Sequence, residues 1–336
     1  MGTAMGSGPA ATRRAVLSRR AALRTCLAGA GLATAALLAG CVDQHPRRAG
    51  SEAGSRTLRI VATSPATAEI CDKLDLALVG VPTTSRGLPE RYRDVKKVGT
   101  AMAPDLEILK SLDPDYVISP NSLQSDLQPK YAGASIACIF VDLKSVRGLY
   151  ESAAYLGRKF DREEQASALL SQYESYMKGY RALHRDKKAP RVLVLMGVPG
   201  SYVVATPQSY AGSLVELAGG ENVYADEAKD FVNANTEDML ARDPDIILRT
   251  AHALPQQVMQ MFAKEFKEND IWRHFRAVKE DRVFDLDSSL FGMSAEFNYP
   301  DALDSLQPML YGGEAGSDGT AVSTATGTSN GNGGSK

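Results

Sequence analysis

Two phrases 130 residues apart repeat one pattern. Asp105 to Ser119 reads DLEILKSLDPDYVIS, and Asn235 to Arg249 reads NTEDMLARDPDIILR. Each opens on a helix-capping residue, places a glutamate (Glu107, Glu237) two positions later, and passes through Asp-Pro-Asp into an apolar run. Proline stops a helix, an Asp-rich turn reverses the chain, and the apolar run suits a buried strand. One such unit is a common helix-to-strand turn. Two matched copies predict two lobes of similar build.

Around this repeat, β-rich runs alternate with helical patterns. TLRIVAT, LALVGV, DYVIS and IACIFVD precede a long helical stretch; RVLVLMG, SYVVAT, DIILRT and RVFDLD follow it. That alternation predicts an α/β fold in which each lobe has three layers. The stretch 161–188 starts DREE and sets Ala166, Leu169, Leu170, Tyr173, Met177 and Tyr180 at helical spacing. It predicts one helix of about 35–40 Å, long enough to join the two lobes. The expected order is a first lobe over 57–160, the bridging helix over 161–188, and a second lobe over 189–311.

The ends of the chain differ in character. Residues 1–40 carry Arg13, Arg14, Arg19, Arg20 and Arg24 with no acid, then an apolar stretch from Cys26 to Gly40. This has the basic and apolar regions of an export signal and is too short for a comfortable membrane span. LLAGC ends it like a lipobox, making Cys41 the expected lipidated first residue of the mature protein. SRRAAL fits a twin-arginine signal, and a Sec signal with extra arginines fits nearly as well. Residues 41–56 are expected to be a flexible linker, and the Gly/Ser/Thr-rich segment 312–336 a disordered tail without a site. The expected location is the outer face of the cell membrane, held by lipid.

Charge and cysteine content narrow the function. The formal net charge of −2 becomes −7 once the five signal arginines leave, so there is no basic field for nucleic acid. Of four cysteines, Cys71 and Cys138 remain for the folded part. An exported compartment permits a disulfide between them, and their apolar surroundings equally suit buried thiols. No Cys-x-x-Cys is present, and Ser201 lacks the second glycine of a nucleophile elbow. No constellation points to an enzyme.

Four histidines are present, and only His252 follows an apolar run and precedes a proline, in DPDIILRTAHALP. A strand end is where an α/β lobe presents binding residues, and Ala251, Ala253 and Leu254 add no competing charge. Read alone, the residue is either a hydrogen-bonded loop histidine or a ligand. Met102, in AMAPDLE, read alone is gap-filling core. His45, His184 and His274 do not cluster with carboxylates as a bare-metal receptor requires.

Longer phrases carry a resemblance. VGTAMAPDLEILKSL, VLMGVPGSYVVATPQSYAGSLVELAGGENVY, NTEDML, DPDIILRTAHALP, NDIWRHF and FGM together resemble the substrate-binding lipoproteins of iron-complex and cobalamin ABC importers. Within that group they are similar to the haem receptors of the iron-regulated surface determinant type. The resemblance implies haem between the lobes, with Met102 and His252 as axial ligands to its iron. It implies delivery to an ABC permease and its ATPase by a monomer, with upstream haem-donor proteins as further partners. Tyr202, Phe291 and Met293 are candidate walls of the pocket, with core packing the other reading of each. Ser85 and Arg86 are candidate propionate partners, a guanidinium being suited to carboxylates. Glu107 and Glu237 either favour their helix N-termini or dock the permease, one per lobe. A siderophore or corrinoid is the alternative ligand on the same fold.

Overall fold

The computed structural model describes residues 57–233 and 235–312. The expected export signal, Cys41, the linker up to residue 56 and the tail beyond Gly312 lie outside them. In chain order the first half holds β1 (Ile60–Ala62), α1 (Pro65–Lys73), β2 (Leu78–Gly80), α2 (Leu106–Ser111), β3 (Tyr116–Pro120), α3 (Gln124–Gly133), β4 (Cys138–Val141) and α4 (Val146–Lys159). Helix α5 (Glu163–Ala182) follows. The second half holds β5 (Arg191–Val198), β6 (Ser201–Ala205), α6 (Tyr210–Leu217), β7 (Glu221–Asn222), β8 (Phe231–Asn233) and α7 (Thr236–Ala241). It ends with β9 (Ile246–Ala251), α8 (Pro255–Glu268), α9 (Arg276–Lys279), β10 (Val283–Asp285) and α10 (Tyr299–Tyr311).

All eight β-rich runs contain strands. The first sheet is fully parallel in the order β2-β1-β3-β4. The second runs β10-β9-β5-β6-β8, parallel through β10, β9 and β5 and antiparallel from β5 to β6 and β8, with short β7 also beside β5. Strands β7 and β8 were not expected. Each is only two or three residues long and includes a polar or exposed position, so neither shows an apolar period.

Alternation along the strands explains the layers. Ile60, Ala62, Ile118, Ile139 and Val141 face one core, whereas Val61, Val117, Cys138 and Phe140 face another on the opposite side of the sheet. Likewise Val192, Val194, Met196, Ile246 and Leu248 part from Leu193, Leu195 and Ile247. Parallel strands covered on both faces are nearly continuous apolar runs, as these are, with Ser119, Arg249, Thr250 and Asp285 among the exceptions. The inner faces of both sheets drain into one continuous core with α1, α4, α5, α6 and α10. Tyr150 and Tyr299 meet there at 3.3 Å between hydroxyls, and the Tyr180 hydroxyl donates to the Leu303 carbonyl at 3.0 Å. The two sheets therefore share one core.

Helix α5 has 20 residues, about 30 Å, and is shorter at each end than the stretch read from sequence. Asp161 takes a left-handed conformation (φ 55°), which ends α4 and delays the start of α5. Beyond Ala182 the chain turns so that His184 packs between Tyr180 and Tyr311. The repeat takes matching forms: Asp105 caps α2 and Asn235 caps α7, each accepting from the backbone N–H groups two and three residues on. Asp113 and Asp243 both turn with positive φ (40° and 44°) ahead of the proline. Cys71 and Cys138 form no disulfide and are buried; burial, with Asp72 beside it, pushes the Cys71 thiol up to about 12.

Candidate functional site

Parallel strands bring their C-terminal ends to one edge, and ligands of α/β folds bind beyond that edge. Here the two edges meet. The segment after β10 reaches the end of the first sheet, where the Ala295 N–H donates to the Leu143 carbonyl just past β4 (2.7 Å). The Phe297 N–H donates to Glu69 on α1 at 3.4 Å.

Met102 stands on a pinned turn at the first edge. Gly99 bridges Pro104 across its base, the Thr83 N–H donates to the Gly99 carbonyl (2.7 Å), and the Ala103 N–H donates to that of Thr100 (3.1 Å). Gly99 has φ 92°, and a Cβ there would lie 2.7 Å from the Ala103 carbonyl oxygen, so the turn needs glycine. Yet the Met102 side chain is 68% exposed. A single exposed apolar side chain is ordinary on a protein surface, so the exposure shows only that this thioether is accessible to a ligand. It is not gap-filling core.

His252 stands at the second edge, directly after β9. Its N–H donates to the Gly197 carbonyl at 2.9 Å, prolonging the pairing of β9 with β5. Gly197 lies under α8, where a Cβ would come 2.2 Å from Val258. The histidine ring is exposed and has no hydrogen bond among the described residues, and Leu254 beyond it is left-handed (φ 47°) and 53% exposed. Each edge thus offers one good ligand to a soft or borderline metal, a thioether and an imidazole. Among the described residues no three of His, Cys, Asp and Glu gather as a bare-metal site.

The other candidates fall differently. Ser85 and Arg86 are exposed on the loop after β2. Arg86 is already engaged: one guanidinium nitrogen donates to Glu296 (2.8 Å) and another to the Ser289 carbonyl (2.7 Å), while the side chain stays 42% exposed. Tyr202 lies in the same cross-strand row as Gly197 and Ala251, and its hydroxyl donates to Glu265 on α8 at 3.2 Å. Met293 is half-buried against the shared core. Phe291 is fully buried, its carbonyl accepting from the Thr250 hydroxyl, so it presents no surface to a ligand. Glu107 and Glu237 are exposed at the first turns of α2 and α7.

Two residues at the junction escaped sequence reasoning, Glu69 and Glu296. Burial raises both carboxyls, Glu296 to about 7. A lone glutamate in a helix or loop carries no local signal of an arginine 210 positions away.

The sequence matches the description of the periplasmic binding protein family over residues 60–290. The chain belongs to that family. Its members by this description are binding proteins rather than enzymes. It is 43% identical over 258 residues to the high-affinity heme uptake system protein IsdE of Staphylococcus aureus, covering 76% of this chain and 88% of that protein. The crystal structure of Staphylococcus aureus IsdE complexed with heme superposes with TM-score 0.71 at 43% identity, covering 76% of this chain and 99% of that one. An ABC transporter substrate-binding protein from Listeria monocytogenes superposes with TM-score 0.73 at 49% identity, with the same coverage. The matched region contains both strand-end edges, Met102 and His252 included.

Proposed function

We propose that this protein captures haem between its lobes, with Met102 and His252 as the two axial ligands, and delivers it to an ABC permease driven by its ATPase. The observation that carries the reading is the pair itself: one exposed thioether and one exposed imidazole, each fixed by backbone hydrogen bonds at its own edge. The haem-bound relative supports it. Methionine and histidine together make iron six-coordinate, and the thioether favours its ferrous state.

The haem face would rest on the apolar rim formed by Ala253, Leu254 and Met293, and its propionates would reach toward Ser85 and Arg86. The lobes, 57–160 and 189–311 with 161–188 between them, would shift little on loading because one core runs through both. Anchoring by lipid at Cys41 would keep the protein on the outer membrane face, within reach of the permease and of upstream haem donors. Glu107 and Glu237 would mark the docking face, one carboxylate per lobe.

Titration of the purified protein with hemin tests this. A saturable one-to-one shift of the Soret band is expected. No saturable shift, with binding of a ferric siderophore or corrinoid instead, would replace haem by that ligand.

A further inference from the structure

The junction holds more negative charge than it can pair. Glu296 receives Arg86 at 2.8 Å and is 14% exposed at its side chain. Glu69, from α1, accepts the Phe297 N–H and faces the same arginine. Lys73 offsets Glu69 on that helix, and Asp72 works against it. Tyr210, from α6, lies against Glu296 and Arg86 with its hydroxyl buried; Tyr150, from α4, faces Glu69. Both phenols are neutral across the physiological range, raised by burial. Arg91 lies 2.7 Å from Asp75 and 4.0 Å from Asp72, so the charged set is three cations (Arg86, Lys73, Arg91) against four carboxylates (Glu69, Glu296, Asp72, Asp75), with Glu296 and Glu69 the least exposed of the four.

A ligand carboxylate arriving at Arg86 would add a third anion to the one guanidinium. In a partly desolvated site that repulsion is costly, and the cheapest relief is to neutralise one resident carboxyl. Of the two facing Arg86, Glu296 is the one in contact with it, and its environment already favours the proton.

We infer that binding of a carboxylate-bearing ligand at Arg86 takes up one proton at Glu296. The inference rests on the cleft being a haem site, the propionate supplying the carboxylate. Charge balances: the ligand carboxylate stays ionised and pairs with Arg86, and Glu296 becomes a neutral acid that no longer competes for it. The buried Tyr210 hydroxyl stands beside that carboxyl. Binding is consequently tied to pH through a residue that touches neither the iron nor the ring. Glu296 acts as a positioning residue for Arg86.

The test is the dissociation constant for haem, measured by Soret titration from pH 6.5 to 9, in parallel with haem dimethyl ester. For haem the affinity should fall toward about tenfold per pH unit above neutrality, the slope for one proton. The diester, which brings no carboxylate, should show a flat profile. Glu296→Gln should flatten the haem profile and bind haem more tightly than wild type at pH 8.5, with its thermal transition confirming that it is folded. Equal slopes for haem and diester, or for wild type and Glu296→Gln, would overturn the inference while leaving the haem site standing. Failure of the wild type to bind either porphyrin at any pH would instead remove the haem reading, and this inference with it.

Discussion

Asp115 and Asp245 make the same hydrogen bond in the two halves of the molecule. One accepts the Arg59 N–H and the other the Arg191 N–H, both at 2.8 Å, and each tethers the first residue of its lobe's opening strand region. The arginine side chains repeat the match, donating to the carbonyls of Leu112 and Arg242 (2.9 and 2.7 Å). The Asp-Pro-Asp phrase is thus a structural unit built twice, and its helices α2 and α7 present Glu107 and Glu237 in equivalent settings.

That equivalence predicts a phenotype confined to delivery. Reversal of both glutamates to lysine should leave the hemin titration unchanged, because both are exposed at the first turns of α2 and α7 and neither is a proposed ligand or wall of the haem site. Haem-dependent growth should nevertheless fail. Growth at the wild-type rate would end the docking assignment.

Gly197 links packing to the site. Its missing Cβ admits Val258 and Phe262 of α8, while its carbonyl holds the His252 N–H. Gly197→Ala should cost about 1–3 kcal/mol by overpacking, measured by urea denaturation. The same variant should weaken haem binding, since the strand end that presents His252 must shift. Unchanged stability would mean that α8 relaxes freely away from the sheet.

Glu296 gives the stability a pH dependence. Its carboxyl is raised to about 7 in the fold from an ordinary value of 4.5, by burial first and Glu69 second, against Arg86. The folded state therefore holds a proton that the unfolded chain releases earlier. Its contribution is present below pH 4.5 and lost as pH rises through about 7. Thermal melts should show Glu296→Gln gaining on wild type between pH 5 and pH 8. A constant difference across that range would place the carboxyl in an ordinary environment.

Much of the architecture was legible because its signals are local. Eight apolar runs, two proline-stopped helices and one long amphipathic stretch each announce themselves within a few residues, and parallel sheets make such runs nearly continuous. The short strands β7 and β8 have no such period, and the ends of α5 depend on a left-handed Asp161 and a packed His184. The site was legible in part. His252 was marked by its place after a strand, and Met102 became informative through the longer phrase around it. Its exposure, which excludes core packing, is a property of the turn that Gly99 and Thr83 pin. Arg86 was visible, but its partners Glu296 and Ser289 are brought to it only by the chain's crossing between lobes.

Met102 offers the milder of the two ligand tests. With its side chain 68% exposed, Met102→Ala should change folding stability by less than about 0.5 kcal/mol. Its effect should fall on the haem, lowering the reduction potential by on the order of 0.1 V, within the roughly 0.8 V range that axial ligands command. A potential equal to that of wild type would remove the thioether from the iron.

The most direct test of the central claim is the visible spectrum of the dithionite-reduced haem complex, wild type beside His252→Ala. Met102 and His252 on the iron should give sharp α and β bands of six-coordinate low-spin iron in the wild type, and these should be lost in the variant. The same six-coordinate spectrum in both, or a five-coordinate one in the wild type, would contradict it.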